Sequence, residues 1–193
     1  MHSAAMTAGA GNGVSVVLRP NLPAAKSFRL SQLRRLRECE QVAAVCYRIR
    51  SGEIEFLLVR TNSAHWTFPK GNAEPGLTHA QAAALEAFEE AGVHGRMEEA
   101  SFARYVRRKR GVRDRARSDR SIEKEMVVQA HLCEVSRLEA PQEQGRTPTW
   151  FPAKKAKRRL GEDRTADFAS ELARVVDRAV SRISRSHLRA MAV

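Results

Sequence analysis

Gly71 to Val93 reads GNAEPGLTHAQAAALEAFEEAGV, and the fold turns on this stretch. Thr78 and Gln81 stand three apart just after Pro75-Gly76, a capping-box signal that predicts a helix over 78–91. Gly92 falls where such a helix closes in a left-handed turn. The helix carries Glu86, Glu89 and Glu90, and their i, i+3, i+4 spacing puts them on one face. Glu86 has a like-charged neighbour at each of these spacings, each unfavourable by roughly 0.2–0.5 kcal/mol. All three lie near the negative end of the helix dipole, where an acid in the final turn costs roughly 0.3–1 kcal/mol. No Lys or Arg stands three or four positions away on this helix. A hard divalent cation would relieve the crowding, and oxygen ligands of this kind suit Mg²⁺ or Mn²⁺. Taken alone, the three acids read first as a solvated face, or a face paired with arginines distant in sequence.

Outward from this helix, Gln41 to Ile49 and Ile54 to Arg60 read as strands joined by a tight turn at Ser51-Gly52. The connection to the helix contains Trp66-Thr67-Phe68-Pro69-Lys70-Gly71. Phe102 to Val106 and Met126 to Val135 read as further strands, the second apolar enough for a central position. From Arg104 to Arg120 there are nine basic residues against Asp114 and Asp119, and this run reads as a charged loop. Residues 136–148 read as a polar loop. Ala153 to Leu160 reads as a short basic helix, and Thr165 to Ser184 as a longer one. In the longer helix Phe168, Leu172, Val175, Val176, Ala179, Val180 and Ile183 form a single stripe, the signature of a core-facing side.

The stretch 71–93 resembles the Nudix box of the Nudix hydrolases, a loop–helix–loop written G-x5-E-x7-R-E-U-x-E-E-x-G-U with U aliphatic. Gly71 takes the first glycine, Glu86 the glutamate after the arginine, Glu89 and Glu90 the paired glutamates, Gly92 the last glycine and Val93 the closing aliphatic. Two positions depart: Leu77 stands at the first glutamate and Leu85 at the arginine, which in the family helps orient the acids. The FPKG entry and EEAGV exit are similar to the subgroup acting on diadenosine polyphosphates and diphosphoinositol polyphosphates, and the likeness extends over roughly residues 40–184. The resemblance implies an α/β fold, a Nudix-type α/β/α sandwich with a mixed sheet. It also implies a pyrophosphohydrolase that cleaves a nucleoside diphosphate-linked, dinucleoside polyphosphate or diphosphoinositol polyphosphate substrate by water attack on phosphorus. Glu86, Glu89 and Glu90 become the expected catalytic residues and the expected ligands of Mg²⁺ or Mn²⁺. Lys70, Arg60 and Gly71 become the expected substrate-binding residues. Glu125 is a weaker candidate for an extra ligand, and Trp66 and Trp150 for base stacking against the plainer role of packing.

Composition bounds the alternatives. The chain has 193 residues, 42% hydrophobic and 29% charged, which suits one domain with an extension. Lys plus Arg number 34 against 22 acids, a net charge of +12, and point to polyanionic partners. A phosphorylated small molecule is the expected partner and nucleic acid the lesser one, since no RNP1-like stretch is present. The alternative reading is a catalytically weak Nudix-like module that binds polyphosphate or RNA through its basic loop. Three cysteines without a CxxC pair exclude a disulfide scaffold. No apolar run reaches the roughly 18 residues of a membrane span, so no membrane partner is expected, and the location expected is cytoplasmic. Residues 1–38 read as a mostly flexible extension with a short basic helix over 31–38, residues 39–184 as the domain and 185–193 as a tail. Nothing in the sequence specifies an oligomeric state.

Overall fold

Strand β1 (Glu40–Arg50) shows how the layers arise. Successive side chains of a strand point to opposite faces. Accordingly Val42, Ala44 and Cys46 enter one buried cluster, whereas Ala43, Val45 and Tyr47 enter another. A strand buried on both faces belongs at the centre of a sheet covered on both sides. The computed structural model describes residues 40–61, 64–110 and 123–191.

Strand β2 (Glu53–Arg60) returns antiparallel to β1 through Ser51-Gly52, both at positive φ (51° and 78°), as a two-residue hairpin turn requires. Strands β3 (Trp66–Thr67) and β4 (Lys70–Asn72) lead into helix α1 (His79–Ala91). Strands β5 (Val93–Met97), β6 (Ala103–Arg110), β7 (Glu123–Leu138) and β8 (Thr149–Pro152) follow, then helices α2 (Ala153–Gly161) and α3 (Ala166–Met191). The sheet runs β3-β2-β1-β7-β5, with β4 also on β1, β6 on β7 and β8 on β2. The β1–β7 pair is parallel and the rest are antiparallel, so the sheet is mixed. Helix α1 lays Ala82, Ala83, Ala87 and Ala91 on the Val42 face. Helices α2 and α3 cover the Val45 face with Ala156, Leu160, Leu172, Val175, Val176, Ala179 and Ile183. The result is the expected α/β/α sandwich.

The strands expected at 41–49, 54–60 and 126–135 and all three helices are present. The differences lie mostly at ends and in short strands. The strand expected at 102–106 is present but longer: 107–110 of the charge run are not loop but continue β6, paired with β7 down to Arg110↔Glu123. Alternating Tyr105 and the arginines explains this: Tyr105 is buried and Arg104 is exposed, the period of a strand. Strand β7 continues to Leu138, and α3 runs on to Met191, beyond the stripe that marks it in sequence. The short strands β3, β4, β5 and β8 carry no periodicity long enough to announce them. The expected leader, the basic helix over 31–38 and residues 111–120 of the charge run lie outside the described residues. Cys46 and Cys133, distant in sequence, are neighbours in the β1–β7 register, buried and free. Their mutual hydrogen bond and burial hold the Cys46 thiol well above its usual range. Among the described residues no helix is long and apolar enough to cross a membrane.

Candidate active site

Helix α1 begins with the capping box foreseen from Thr78 and Gln81. Gln81 N–H donates to Thr78 Oγ1 at 3.2 Å, and Thr78 N–H donates to Gln81 Oε1 at 2.9 Å. It ends at Gly92, whose φ of 62° is left-handed and whose N–H donates to Phe88 O at 2.8 Å. A Cβ on Gly92 would also lie 2.1 Å from Glu139 O, so glycine is needed there for both conformation and space. The loop 139–148 then docks on the end of the helix. Glu139 N–H donates to Gly92 O at 2.8 Å and Glu143 N–H to Glu89 O at 2.9 Å.

This docking brings the acids of α1 into a frame built by β4 and the loop. Glu90 is 3% exposed. Its Oε2 accepts the Lys70 backbone N–H at 3.1 Å, and its Oε1 accepts from Arg146 Nη2 at 2.6 Å. Arg146 is also held by Glu143, Nε to Oε2 at 2.8 Å. Burial raises the Glu90 pKa, while Lys70 and Arg146 pull it back. The Glu86 carboxylate lies against the backbone of Gly71, where a Cβ would sit 1.6 Å from Oε1. Burial, then the charges of Glu90, Glu89 and Glu143, push Glu86 up to about 7. Two acids four residues apart are therefore seated on two consecutive residues of β4, Glu86 on Gly71 and Glu90 on Lys70.

Three glutamates do not form a closed ring here: among the described residues no three acidic, imidazole or thiol side chains are grouped to hold an ion. Both oxygens of Glu90 are engaged, by Lys70 N–H and Arg146. Glu86 and Glu89 accept no hydrogen bond among the described residues, and after burial the charges of Glu90, Glu89 and Glu143 are what lift Glu86. Hard oxygen donors with unmet negative charge fit a hard divalent cation.

Lys70 and Gly71, both expected at the substrate, are thus at the site. The Lys70 ammonium is largely buried; burial, offset by Glu90, and the charges of Arg107, Arg146 and Arg164 lower its pKa. Arg60 is turned elsewhere: it is exposed, donates to Ala64 O at 3.2 Å and lies over Trp66. Glu125 is exposed and paired with Arg108 at 3.1 Å. Trp66 packs edge-on against Phe151 at 5.0 Å, and Trp150 packs under Arg48 at 4.2 Å. His131 is buried, with Nδ1 against Glu98 O at 3.1 Å. Leu77 is 39% exposed. Leu85 is half-buried on α1.

Arg146 is the residue that sequence reading missed. It lies 56 positions from Glu90, in a polar loop with no motif to mark it. It supplies a guanidinium to an acid of the box where the box itself has Leu85. An arginine restored at 85 therefore has no vacancy to fill at Glu90. The variant Leu85→Arg is expected to keep or raise hydrolytic activity. A complete loss in steady-state assays, together with a lowered melting temperature, would instead give the leucine a packing role of its own.

Residues 40–172 match the family profile described as NUDIX domain. A stretch of 51 residues is 47% identical to the Bis(5'-nucleosyl)-tetraphosphatase [asymmetrical] of Caenorhabditis elegans, taking in 25% of this chain and 37% of that protein. The structure of a C. elegans Ap4A hydrolase binary complex superposes with a TM-score of 0.53 at 20% identity, over 76% of this chain and 98% of the other. The NUDIX domain of Shewanella oneidensis NrtR, complexed with ADP ribose, superposes with a TM-score of 0.52 at 18% identity, over 75% of this chain and 87% of the other. At these identities the two structures speak for the fold.

Proposed function

Because the chain belongs to the NUDIX domain family, we propose that it is a metal-dependent pyrophosphohydrolase acting on a dinucleoside polyphosphate or a related diphosphate-linked substrate. The observation that carries this reading is the seating of Glu86 and Glu90 on Gly71 and Lys70, which sets acids and a cation side by side. The local 47% identity to an asymmetrical tetraphosphatase favours the dinucleoside polyphosphates among the candidate substrates.

Glu86 and Glu89, with Glu90 behind them, are the residues that would hold Mg²⁺ or Mn²⁺; bound there, the ion would supply charge neutralisation at phosphoryl oxygens and a more acidic water. The chain's own contribution is positioning and charge. Lys70 offers an ammonium to a substrate phosphate while its backbone N–H fixes Glu90. Arg146, after Lys70, pulls the pKa of buried Glu90 back down and so favours its ionised form. The acid cluster also supplies the acceptor for the proton lost by the attacking water. Such a reaction spreads charge over phosphoryl oxygens, so positioned charges do most of the work.

The test is a panel of diphosphate compounds: dinucleoside polyphosphates, nucleoside diphosphate derivatives and diphosphoinositol phosphates, assayed with and without Mg²⁺. Hydrolysis is expected only with the metal. Glu89→Gln and Glu90→Gln should each lose more than the roughly 10–100-fold that removal of a supporting residue around a metal costs. A panel that stays silent, or variants as active as the parent, would remove the hydrolase reading. Silence together with salt-sensitive RNA binding would favour the binding module instead.

A further inference from the structure

Beside Lys70 the structure holds a second feature, a cavity that the acids of α1 do not line. This cavity of about 50 Å³ lies between β3, β4, β6 and the start of α3; its wall includes His65, Lys70, Tyr105, Arg107 and Arg164, with apolar Phe168 and Leu172. Three cations face one small space. Among the described residues no carboxylate lines it. Arg107 makes no hydrogen bond or ion pair among the described residues. Arg164 is held by Trp66 O at 2.9 Å through Nη2 and stacks over Phe168, but its buried Nε has no partner. His65 Nδ1 is likewise buried without a partner. Burial, then the charge of Arg107, lowers the Arg164 pKa, the mark of positive charge crowded out of water.

Unpaired buried donors and like charges are costly, and native structures leave them only for a reason. The size of the space narrows that reason. It is a few times the roughly 10–15 Å³ that seats one water, which suits a single tetrahedral oxyanion and is too small for a nucleobase. Guanidinium and ammonium groups around such an anion would form charge-assisted hydrogen bonds, the strong kind.

We infer that this cavity is a subsite for one phosphoryl group of a polyphosphate chain, beyond the linkage that is cleaved, held by Arg107, Arg164 and Lys70. This inference rests on the hydrolase reading for its biological use, but not for its binding chemistry. Lys70 joins the two places: its backbone serves Glu90 and its side chain faces the cavity. A substrate that carries further phosphates beyond the cleaved linkage has a group to place there, and a simple diphosphate has none. The subsite therefore selects for longer phosphate chains.

The full-length protein is titrated with inorganic tripolyphosphate and with pyrophosphate in metal-free buffer, followed by calorimetry. Tripolyphosphate is expected to bind more tightly, and Arg107→Gln to weaken it by about tenfold, the loss of one charge-assisted contact. Arg164→Gln should do the same. If the loss of its Trp66 contact unfolds that variant, Arg107→Gln decides, since Arg107 ties nothing together. In the assay, Arg107→Gln should raise KM for a dinucleoside tetraphosphate about tenfold and leave KM for ADP-ribose little changed. Unchanged tripolyphosphate affinity in Arg107→Gln overturns the subsite while hydrolysis can stand. Conversely, a silent hydrolase panel with lost anion affinity in Arg107→Gln overturns the hydrolase and keeps the subsite.

Discussion

Replacement of Arg146 by methionine is expected to destabilise the protein by about 3–5 kcal/mol, since removing one partner of a buried ion pair strands the other. At roughly 2–4 °C per kcal/mol for a chain of this size, the lower figure lowers the melting temperature by about 6–12 °C. The argument rests on Glu90, whose side chain is 4% exposed beside Arg146 at 17%. Methionine fills much of the arginine's volume, so the loss is of charge and not of packing. The dependence on pH follows from the direction of the Glu90 shift. Burial already raises that carboxyl, and Arg146 lowers it. Without Arg146 the folded-state value rises further above the unfolded one. Between the two values the folded protein holds the proton that the unfolded chain has released, so stability falls as pH rises. The deficit of Arg146→Met relative to the parent is expected to be largest at neutral and higher pH and to shrink as the pH is lowered towards 4. Thermal melts across that range measure it. Adding Glu90→Gln to Arg146→Met should recover much of the loss, because no charge is then stranded. A deficit independent of pH, or one that Glu90→Gln deepens, would show that Arg146 stabilises by packing.

The ion pair also marks where a reading of the sequence stops. Capping by Thr78 and Gln81, the left-handed Gly92 and the one-faced glutamates are local facts, set within about four residues, and all three are legible in GNAEPGLTHAQAAALEAFEEAGV. The α3 stripe is legible for the same reason: one periodicity spans several turns. Arg146 is not local. Its place depends on loop 139–148 docking on the last turn of α1 through Glu139 and Glu143, and nothing in the residues 141–148 encodes that docking by pattern. The same holds for the cluster of Lys70, Arg107 and Arg164. These come from β4, β6 and the turn before α3, and only the closed sheet and the helix laid upon it bring them to one cavity. Composition showed that the chain carries excess positive charge, but where that charge is buried is a property of the sheet order. Arg60 shows the converse, a local contact that sequence position does not announce. Its position at the end of β2, near the box, suggests a phosphate contact, yet the turn at Ala64 takes its side chain first.

Substitution of Gly71 by alanine is expected to lower kcat by about a hundredfold, the cost of a displacement of roughly 1 Å at a catalytic group, with little loss of stability. Gly71 sits in β4, paired with Val42 of β1, and is not among the glycines at positive φ. Any residue can adopt its backbone, so the constraint is one of space. An added Cβ would lie 1.6 Å from Glu86 Oε1, 2.1 Å from Cδ and 2.6 Å from Oε2. No non-bonded atoms approach so closely, and the carboxylate must leave. Because the obstructed atoms are the end of a flexible side chain, the helix and sheet need not move, and the melting temperature should stay close to the parent's. The activity loss then tests where the glycine acts. If it acts only by seating Glu86, the double variant Gly71→Ala, Glu86→Gln should be no slower than Glu86→Gln alone, since a carboxylate already lost cannot be displaced again. Multiplicative losses would mean that Gly71 serves the substrate directly, through close approach of its backbone. Full activity in Gly71→Ala would show that the position of Glu86 against β4 is not one that the reaction uses.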